Sequence, residues 1–292
     1  MFRGTFTAVV TPFHNGAVDF SALEKLVKLQ IAAGITGIVA VGTTAESPTL
    51  THEEKHEIIQ RTIKFAKGRC QVIAGAGTNS TRDSIDAAKF AEKAGADGAL
   101  LVAPYYNKPS QEGLFRHFKA IAEATSLPIM LYNIPGRCSV DIMPETVARL
   151  AKECRNIVSI KEASGSVERV SDLRRHLPES FTILSGDDSL TLPFMAVGAA
   201  GVVSVASNLF PSEVCALVRA CESGDLKSAS KLHRRLLPVF KDLFIEPNPV
   251  PAKTALGWRG GMSGAVRLPL CAMSEANQAR LRKTLEEFER NK

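Results

Sequence analysis

The sequence has no CxxC pair, no histidine at zinc spacing beside its six cysteines, no massed run of basic residues and no apolar run approaching about 18 residues. Each absence excludes a class. Cysteines scattered at 70, 138, 154, 215, 221 and 271 build neither a zinc motif nor a disulfide framework, and free thiols in a chain of this length fit a reducing compartment. Without a long apolar run no transmembrane span is expected. The opening residues Met1-Phe2-Arg3-Gly4-Thr5-Phe6 lack the charged and apolar regions of a signal peptide, so a cytoplasmic location is expected. The net charge of +6 comes from Lys and Arg interleaved with Asp and Glu, as in Glu24-Lys25, Glu53-Glu54-Lys55 and Glu92-Lys93. Interspersed charge is a solvated helix face, and with neither a basic stripe nor a recognition motif the chain does not read as a nucleic-acid binder. A mildly positive field suits anionic small-molecule substrates instead.

What remains is a 292-residue globular composition, 45% hydrophobic and 23% charged, enough for two domains or one large α/β barrel. Short apolar segments at 5–10, 37–41, 72–76, 99–103, 129–132, 157–161, 182–185 and 202–206 alternate with amphipathic helical patterns, the signature of a parallel sheet buried on both faces. Helix starts are marked. Thr51-His52-Glu53-Glu54 is a capping box, and Pro144 sits where a first-turn N–H needs no partner. Ala33-Gly34-Ile35-Thr36-Gly37 is echoed by Ala94-Gly95-Ala96-Asp97-Gly98 and by Val197-Gly198-Ala199-Ala200-Gly201, each reading as a helix end, a tight turn and the next strand. Eight such units predict a (β/α)8 TIM barrel over 1–223, completed by a helix at 212–222. No GxGxxG follows the first strand, which disfavours an open dinucleotide-binding sheet. Helical patterns at 225–243 and 274–290, around the proline-rich break Glu246-Pro247-Asn248-Pro249-Val250-Pro251, predict a C-terminal helical extension over 224–292 packed on the barrel.

Lys161 closes the sixth apolar segment, Asn156-Ile157-Val158-Ser159-Ile160-Lys161. An ammonium drawn toward an apolar site relieves its desolvation by losing the proton, and the free amine is a nucleophile able to form a Schiff base. Taken alone, such a lysine also reads as a strand-end residue reaching solvent. Active groups of a barrel stand at the C-terminal ends of its strands, and that rule gathers Gly42-Thr43-Thr44, Tyr105-Tyr106, Tyr132 with Arg137, Asp187-Asp188 and the segment 204–207 around Lys161. Thr43 and Thr44 could hold a carboxylate or cap a helix. Tyr132 could move protons or pack as a structural tyrosine. Arg137 could clamp a carboxylate bidentately or face solvent. Asp187-Asp188 has no further ligand at metal spacing and reads as a helix cap, so no metal is expected.

The ordered set Gly42-Thr43-Thr44-Ala45-Glu46-Ser47, Pro104-Tyr105-Tyr106-Asn107-Lys108-Pro109, Tyr132-Asn133-Ile134-Pro135-Gly136-Arg137, Ile160-Lys161-Glu162-Ala163, Leu184-Ser185-Gly186-Asp187-Asp188 and Glu246-Pro247-Asn248-Pro249 resembles the dihydrodipicolinate synthases. These lie within the pyruvate-dependent class I aldolases, which include N-acetylneuraminate lyase. The resemblance spans nearly the whole chain. It implies a cofactor-free condensation of pyruvate, held as an imine on Lys161, with aspartate semialdehyde, in lysine and diaminopimelate biosynthesis. It implies that Tyr132 is the proton donor and acceptor, and that Thr43 links it to a Tyr106 crossing from a neighbouring subunit of a homotetramer, a dimer of dimers. Thr44 then binds the pyruvate carboxylate, Val203 lines the pyruvate site through its backbone, and Arg137 holds the second substrate's carboxylate. The alternative is a related aldolase acting on a sugar acid; Arg137 favours the synthase, because the sialic-acid lyases carry an apolar residue there. Ala45 departs from the family's usual glycine, and its methyl needs negative φ or some strain. The family's allosteric lysine pocket maps onto Ser47, His52, Lys55, Asn79, Asp83 and Tyr105. By that resemblance, sensitive bacterial members tend to carry histidine where Lys55 stands and glutamate where Asp83 stands; the cation of Lys55 and the short side chain of Asp83 predict weak or absent inhibition by lysine.

Overall fold

The computed structural model describes residues 2–290, so Met1, Asn291 and Lys292, the outer ends of the two expected regions, lie outside the described residues. Eight strands close a parallel barrel: β1 (Gly4–Ala8), β4 (Gly37–Ala40), β5 (Gln71–Gly75), β6 (Gly98–Val102), β7 (Ile129–Asn133), β8 (Ile157–Glu162), β9 (Thr182–Ser185) and β10 (Gly201–Ser204). Each pairs with the next, and β10 returns to β1 with Phe6 opposite Val203. The eight expected segments are these eight strands. Two further strands, β2 (Phe13–His14) and β3 (Ala17–Val18), form a small antiparallel hairpin beyond β1. Their two residues apiece are too short to show a period in the sequence.

Strands end for local reasons. β4 stops at Ala40 because Val41 takes a left-handed φ of 59°. β10 stops at Ser204, two residues before the expected end, because the N–H groups of Val205 and Ala206 leave the ladder and donate to the buried Asp188 carboxylate at 2.9 and 3.0 Å. The helix signals hold. The Thr51 hydroxyl accepts from Glu54 N–H while the Glu54 carboxylate accepts from Thr51 N–H, Pro144 opens its helix, and the repeat glycines Gly34 and Gly95 both turn left-handed at φ 78° and 84°.

Large side chains fill the barrel rather than leaving a pore. Phe2, Phe6, Val39, Ile73, Leu100, Met130, Leu184 and Val203 pack along the axis, with Phe2 and Phe6 edge to face at 6.0 Å. A second apolar layer lies between strands and helices. The extension contributes to that same layer: Leu236, Val239, Phe240, Leu281 and Phe288 join one cluster with Leu217 and Val218 of the helix after β10. Phe288 meets Phe210 at 4.5 Å, and Arg259 donates to the Leu209 carbonyl at 2.6 Å. The proline-rich break is shorter than expected, because Pro249 and Pro251 introduce a helix, Val250–Trp258, rather than interrupt one.

Candidate active site

Lys161, Tyr132 and Leu184 lie side by side in register on β8, β7 and β9. Neighbours in register share a face of the sheet and successive residues alternate. These three therefore point into the barrel, while Asn133, Glu162 and Ser185, one step on, point to the helices. The outward set makes a polar brace under the site. Glu162 accepts from Asn133 Nδ2, from Ser164 N–H at 2.7 Å and from Arg169 at 2.8 Å, and Arg169 also donates to Asp141 and to the Ile142 carbonyl.

Lys161 is only 6% exposed, and its Nζ sits 4.0 Å from the centroid of the Tyr132 ring. Among the described residues no carboxylate lies at ion-pair distance from it. Burial pulls its pKa from the ordinary lysine range to about 7; the Asp188 charge works against that fall and the Arg137 charge with it. A large fraction is then free amine at neutral pH. Burial also pushes the Tyr132 phenol far above the usual tyrosine range, against smaller pulls from the Arg137 charge and a hydrogen bond with Thr43. The phenol keeps its proton beside the Lys161 amine.

The turn after β4 brings the threonines in. Thr43–Ala45 form one 3-10 turn, bracketed by left-handed Val41 and by left-handed Glu46 at φ 57°. A β-branched residue in that region is a real outlier, held only where its surroundings over-determine it. Ala45 lies outside the left-handed region, so its methyl brings no strain. Thr44 is buried and its Oγ1 accepts from Asn248 Nδ2 at 3.0 Å. Val203 is buried on β10, facing the barrel interior with Phe6.

A cavity of about 230 Å³ opens over these groups, lined by Thr43, Tyr105, Tyr132, Ile134, Arg137 and Cys138 among others. Lys161, Thr44 and Val203 do not border it; they lie buried in the barrel mouth, Lys161 against the Tyr132 ring. Arg137, on the short helix Pro135–Cys138, is exposed and has no ion-pair partner among the described residues. Through Ser47, Lys55 and Tyr105 the cavity meets a second one of about 500 Å³, which Ser47, His52, Lys55, Asn79, Asp83 and Tyr105 all line. Desolvation lowers the pKa of the half-buried Lys55, with Asp83 opposing. Tyr106 stands apart from both cavities, 89% exposed on a left-handed backbone at φ 72°. Among the described residues no group of three or more His, Cys, Asp or Glu could hold a metal ion.

Sequence reasoning takes Asp187 and Asp188 together as a cap. Asp187 is one, accepting from Ser189 N–H at 2.8 Å. Asp188 is not. It is buried, accepts from Ser204 Oγ and from Val205 and Ala206 N–H, and titrates near 6 because burial raises it. Glu46 and Lys253 are also missed; the available signal was a lone lysine inside the apolar segment at 250–258.

The model of the dihydrodipicolinate synthetase family matches residues 1–288. The 4-hydroxy-tetrahydrodipicolinate synthase of Endomicrobium trichonymphae is 49% identical over 288 residues, 99% of each chain. The solved synthase of the methanotroph Methylacidiphilum fumariolicum superposes with a TM-score of 0.98 at 56% identity, covering 99% of this chain and 97% of that one. A chloride-inhibited dihydrodipicolinate synthase from Acinetobacter baumannii, solved in complex with pyruvate, superposes with a TM-score of 0.97 at 43% identity over 99% of each chain.

Proposed function

The chain belongs to the dihydrodipicolinate synthetase family, and on that premise we propose that Lys161 and Tyr132 carry its reaction. That reaction condenses pyruvate with L-aspartate 4-semialdehyde to 4-hydroxy-tetrahydrodipicolinate, in lysine and diaminopimelate biosynthesis. The neutral Lys161 amine adds to the keto carbon of pyruvate, and water leaves to give a protonated imine. That cation draws electrons from the neighbouring methyl carbon, which gives a proton to the Tyr132 oxygen that had supplied one to the departing water, and the imine becomes an enamine. The enamine carbon bonds to the aldehyde carbon of the semialdehyde, and the new alkoxide takes a proton from the Tyr132 phenol. The adduct's own amine then attacks the imine carbon, closes the ring and releases Lys161. The observation that carries the assignment is the unpaired amine of Lys161, buried against Tyr132 with a pKa of about 7.

Other side chains take supporting roles. Thr44, at the strained turn, holds the pyruvate carboxylate, and Val203 lines the same subsite through its backbone. Arg137, with no ion-pair partner of its own, clamps the carboxylate of the semialdehyde. Thr43 connects Tyr132 to the partner subunit's Tyr106. The exposure and left-handed backbone of Tyr106 suit a residue held out for a neighbour, which supports a homotetramer built as a dimer of dimers. The Ser47–Tyr105 cavity is a regulatory site poorly matched to lysine, because Lys55 already places a cation in it. Among the described residues no helix is long and apolar enough to cross a membrane; we place the enzyme in the cytoplasm, a location that its six free cysteines fit.

Incubation with pyruvate and borohydride, followed by peptide mapping, tests the mechanism. A reduced pyruvate adduct on Lys161 is the expected result, and no adduct, or one elsewhere, rejects it. Pyruvate consumption on adding aspartate semialdehyde, but not sugar-acid aldehydes, tests the second substrate.

A further inference from the structure

Glu46 and Lys253 have no part in the chemistry above, yet both are fully buried, with Nζ 2.6 Å from Oε1. They are 207 residues apart. Glu46 ends the turn that carries Thr43 and Thr44, and Lys253 lies in the middle of the helix Val250–Trp258 of the C-terminal extension. The other Glu46 oxygen accepts from the Arg267 backbone N–H at 2.9 Å, so the extension holds both oxygens of the carboxylate. Arg267 is itself fixed, donating to both oxygens of Glu54 and to the Thr49 and Gly16 carbonyls. The Phe13 ring takes the Lys253 amine at 4.1 Å and the Arg267 guanidinium at 4.3 Å.

A buried ion pair adds little net stability, because desolvation offsets most of the attraction; stranding one partner is what destabilises. What this pair supplies is geometry. Glu46 holds the left-handed position of the turn, and its N–H closes the turn on the Thr43 carbonyl at 3.0 Å. Asn248, from the same extension, donates to Thr44 Oγ1 at 3.0 Å. A hydroxyl has one hydrogen to give. With its oxygen already accepting from Asn248, Thr44 keeps that hydrogen free to donate to an anion.

We propose that the Glu46–Lys253 pair positions the pyruvate subsite, locking the Thr43–Thr44 turn onto the C-terminal extension so that Thr44 meets the pyruvate carboxylate preorganised. The inference rests on the reading of Thr44 as the carboxylate-binding residue. Glu46 and Lys253 are positioning residues and touch no substrate.

The double variant Glu46→Gln/Lys253→Met removes both charges at nearly constant volume and strands neither. Its Tm is expected within about 5 °C of the parent, as for other buried pairs replaced together. The pyruvate concentration that half-saturates borohydride trapping, and the KM for pyruvate, are expected to rise about tenfold, the loss of one charge-assisted tether. The KM for aspartate semialdehyde stays within about twofold, since Arg137 stands on a different element. Glu46→Gln alone serves if the double variant folds poorly, because Lys253 can shed its charge by losing a proton, and the same rise in half-saturation is expected. A folded variant with unchanged pyruvate half-saturation, or one in which both substrates' KM rise in step, overturns the inference alone. A parent that traps no pyruvate overturns the Schiff-base reading, and this inference with it.

Discussion

Gly186 sets the space available to Lys161. A Cβ built on it lies 3.0 Å from Cε and 3.1 Å from Cγ of Lys161, and 2.7 Å from Cβ of Ala163. Non-bonded carbons rest about 3.5–4.0 Å apart, so the lysine stem must give by a few tenths of an ångström and the Ala163 methyl, which has no rotamer of its own, by more. The backbone of Gly186 is not left-handed, so glycine is needed here for room and not for conformation. The stem has little slack, with its amine already against the Tyr132 ring. Overpacking of this kind costs about 1–3 kcal/mol, and a reacting atom displaced by about 1 Å loses about a hundredfold in rate. Gly186→Ala shifts the stem by less than that, and is expected to lower both kcat and the rate of pyruvate trapping on Lys161 about tenfold, while Tm falls by a few degrees. Trapping at saturating pyruvate, followed by peptide mass and read beside a thermal melt, measures both. Gly261→Ala is the control, because a Cβ there meets nothing within 4 Å. Parental trapping by Gly186→Ala, in a folded variant, refutes the claim that Lys161 is held in one place by packing.

With the Lys161 pKa near 7, trapping should accelerate from acid pH through about 7 and level off above it; a rise centred near the ordinary lysine range contradicts the burial argument. The unfolded chain binds the Lys161 proton more tightly, so the burden of burying the cation is full below about 7 and is relieved as pH climbs toward the unfolded lysine value. Lys161→Met should accordingly abolish trapping and raise Tm, most at acid pH, and an unchanged melt at pH 6 counts against it. Arg137→Ala should raise the KM for aspartate semialdehyde about 10- to 100-fold with trapping of pyruvate nearly unaffected; equal losses for both substrates contradict the assigned clamp. Millimolar lysine should inhibit the enzyme weakly or not at all in a steady-state assay, and Lys55→His with Asp83→Glu should increase sensitivity; strong inhibition of the parent is the opposing result.

The barrel was legible because each strand is a short apolar run and every helix between them carries a cap or turn signal that acts locally. The candidates at strand ends, Thr43, Thr44, Tyr132 and Lys161, followed from the same period, since barrel geometry brings the C-terminal ends of the strands to one mouth; Val203 came from the family resemblance alone. What stayed hidden depends on contacts between distant segments. The end of β10 is set by a carboxylate from the turn after β9. No local pattern reports that Asp188 turns inward while Asp187 caps. Nor does any local pattern report that the turn after β4 is held by Asn248, Lys253 and Arg267, more than 200 residues further on. The Phe13–Val18 hairpin is hidden for a different reason, having too few residues for periodicity to register.

Lys161 and Lys253 are both buried lysines, and on the proposed reading only the first is the nucleophile. Both are almost completely withdrawn from water, and both rest on an aromatic ring, at 4.0 Å over Tyr132 and 4.1 Å over Phe13. Desolvation lowers the proton affinity of each. They diverge at the counter-charge. Glu46 touches Lys253 at 2.6 Å and opposes the fall, leaving its pKa at about 8, and the ion pair makes that amine a strut. The acid that acts on Lys161 is Asp188, whose oxygens are already engaged by Ser204, Val205 and Ala206, and it does not come within ion-pair reach. Its influence moderates the loss of the proton without preventing it. A carboxylate brought into contact with Lys161 would favour its charged form, as Glu46 does for Lys253. On the proposed reading Lys161 stays unpaired because Asp188, the acid that acts on it, is engaged by Ser204, Val205 and Ala206, while Glu162 lies on the opposite face of the sheet, held by Asn133, Ser164 and Arg169.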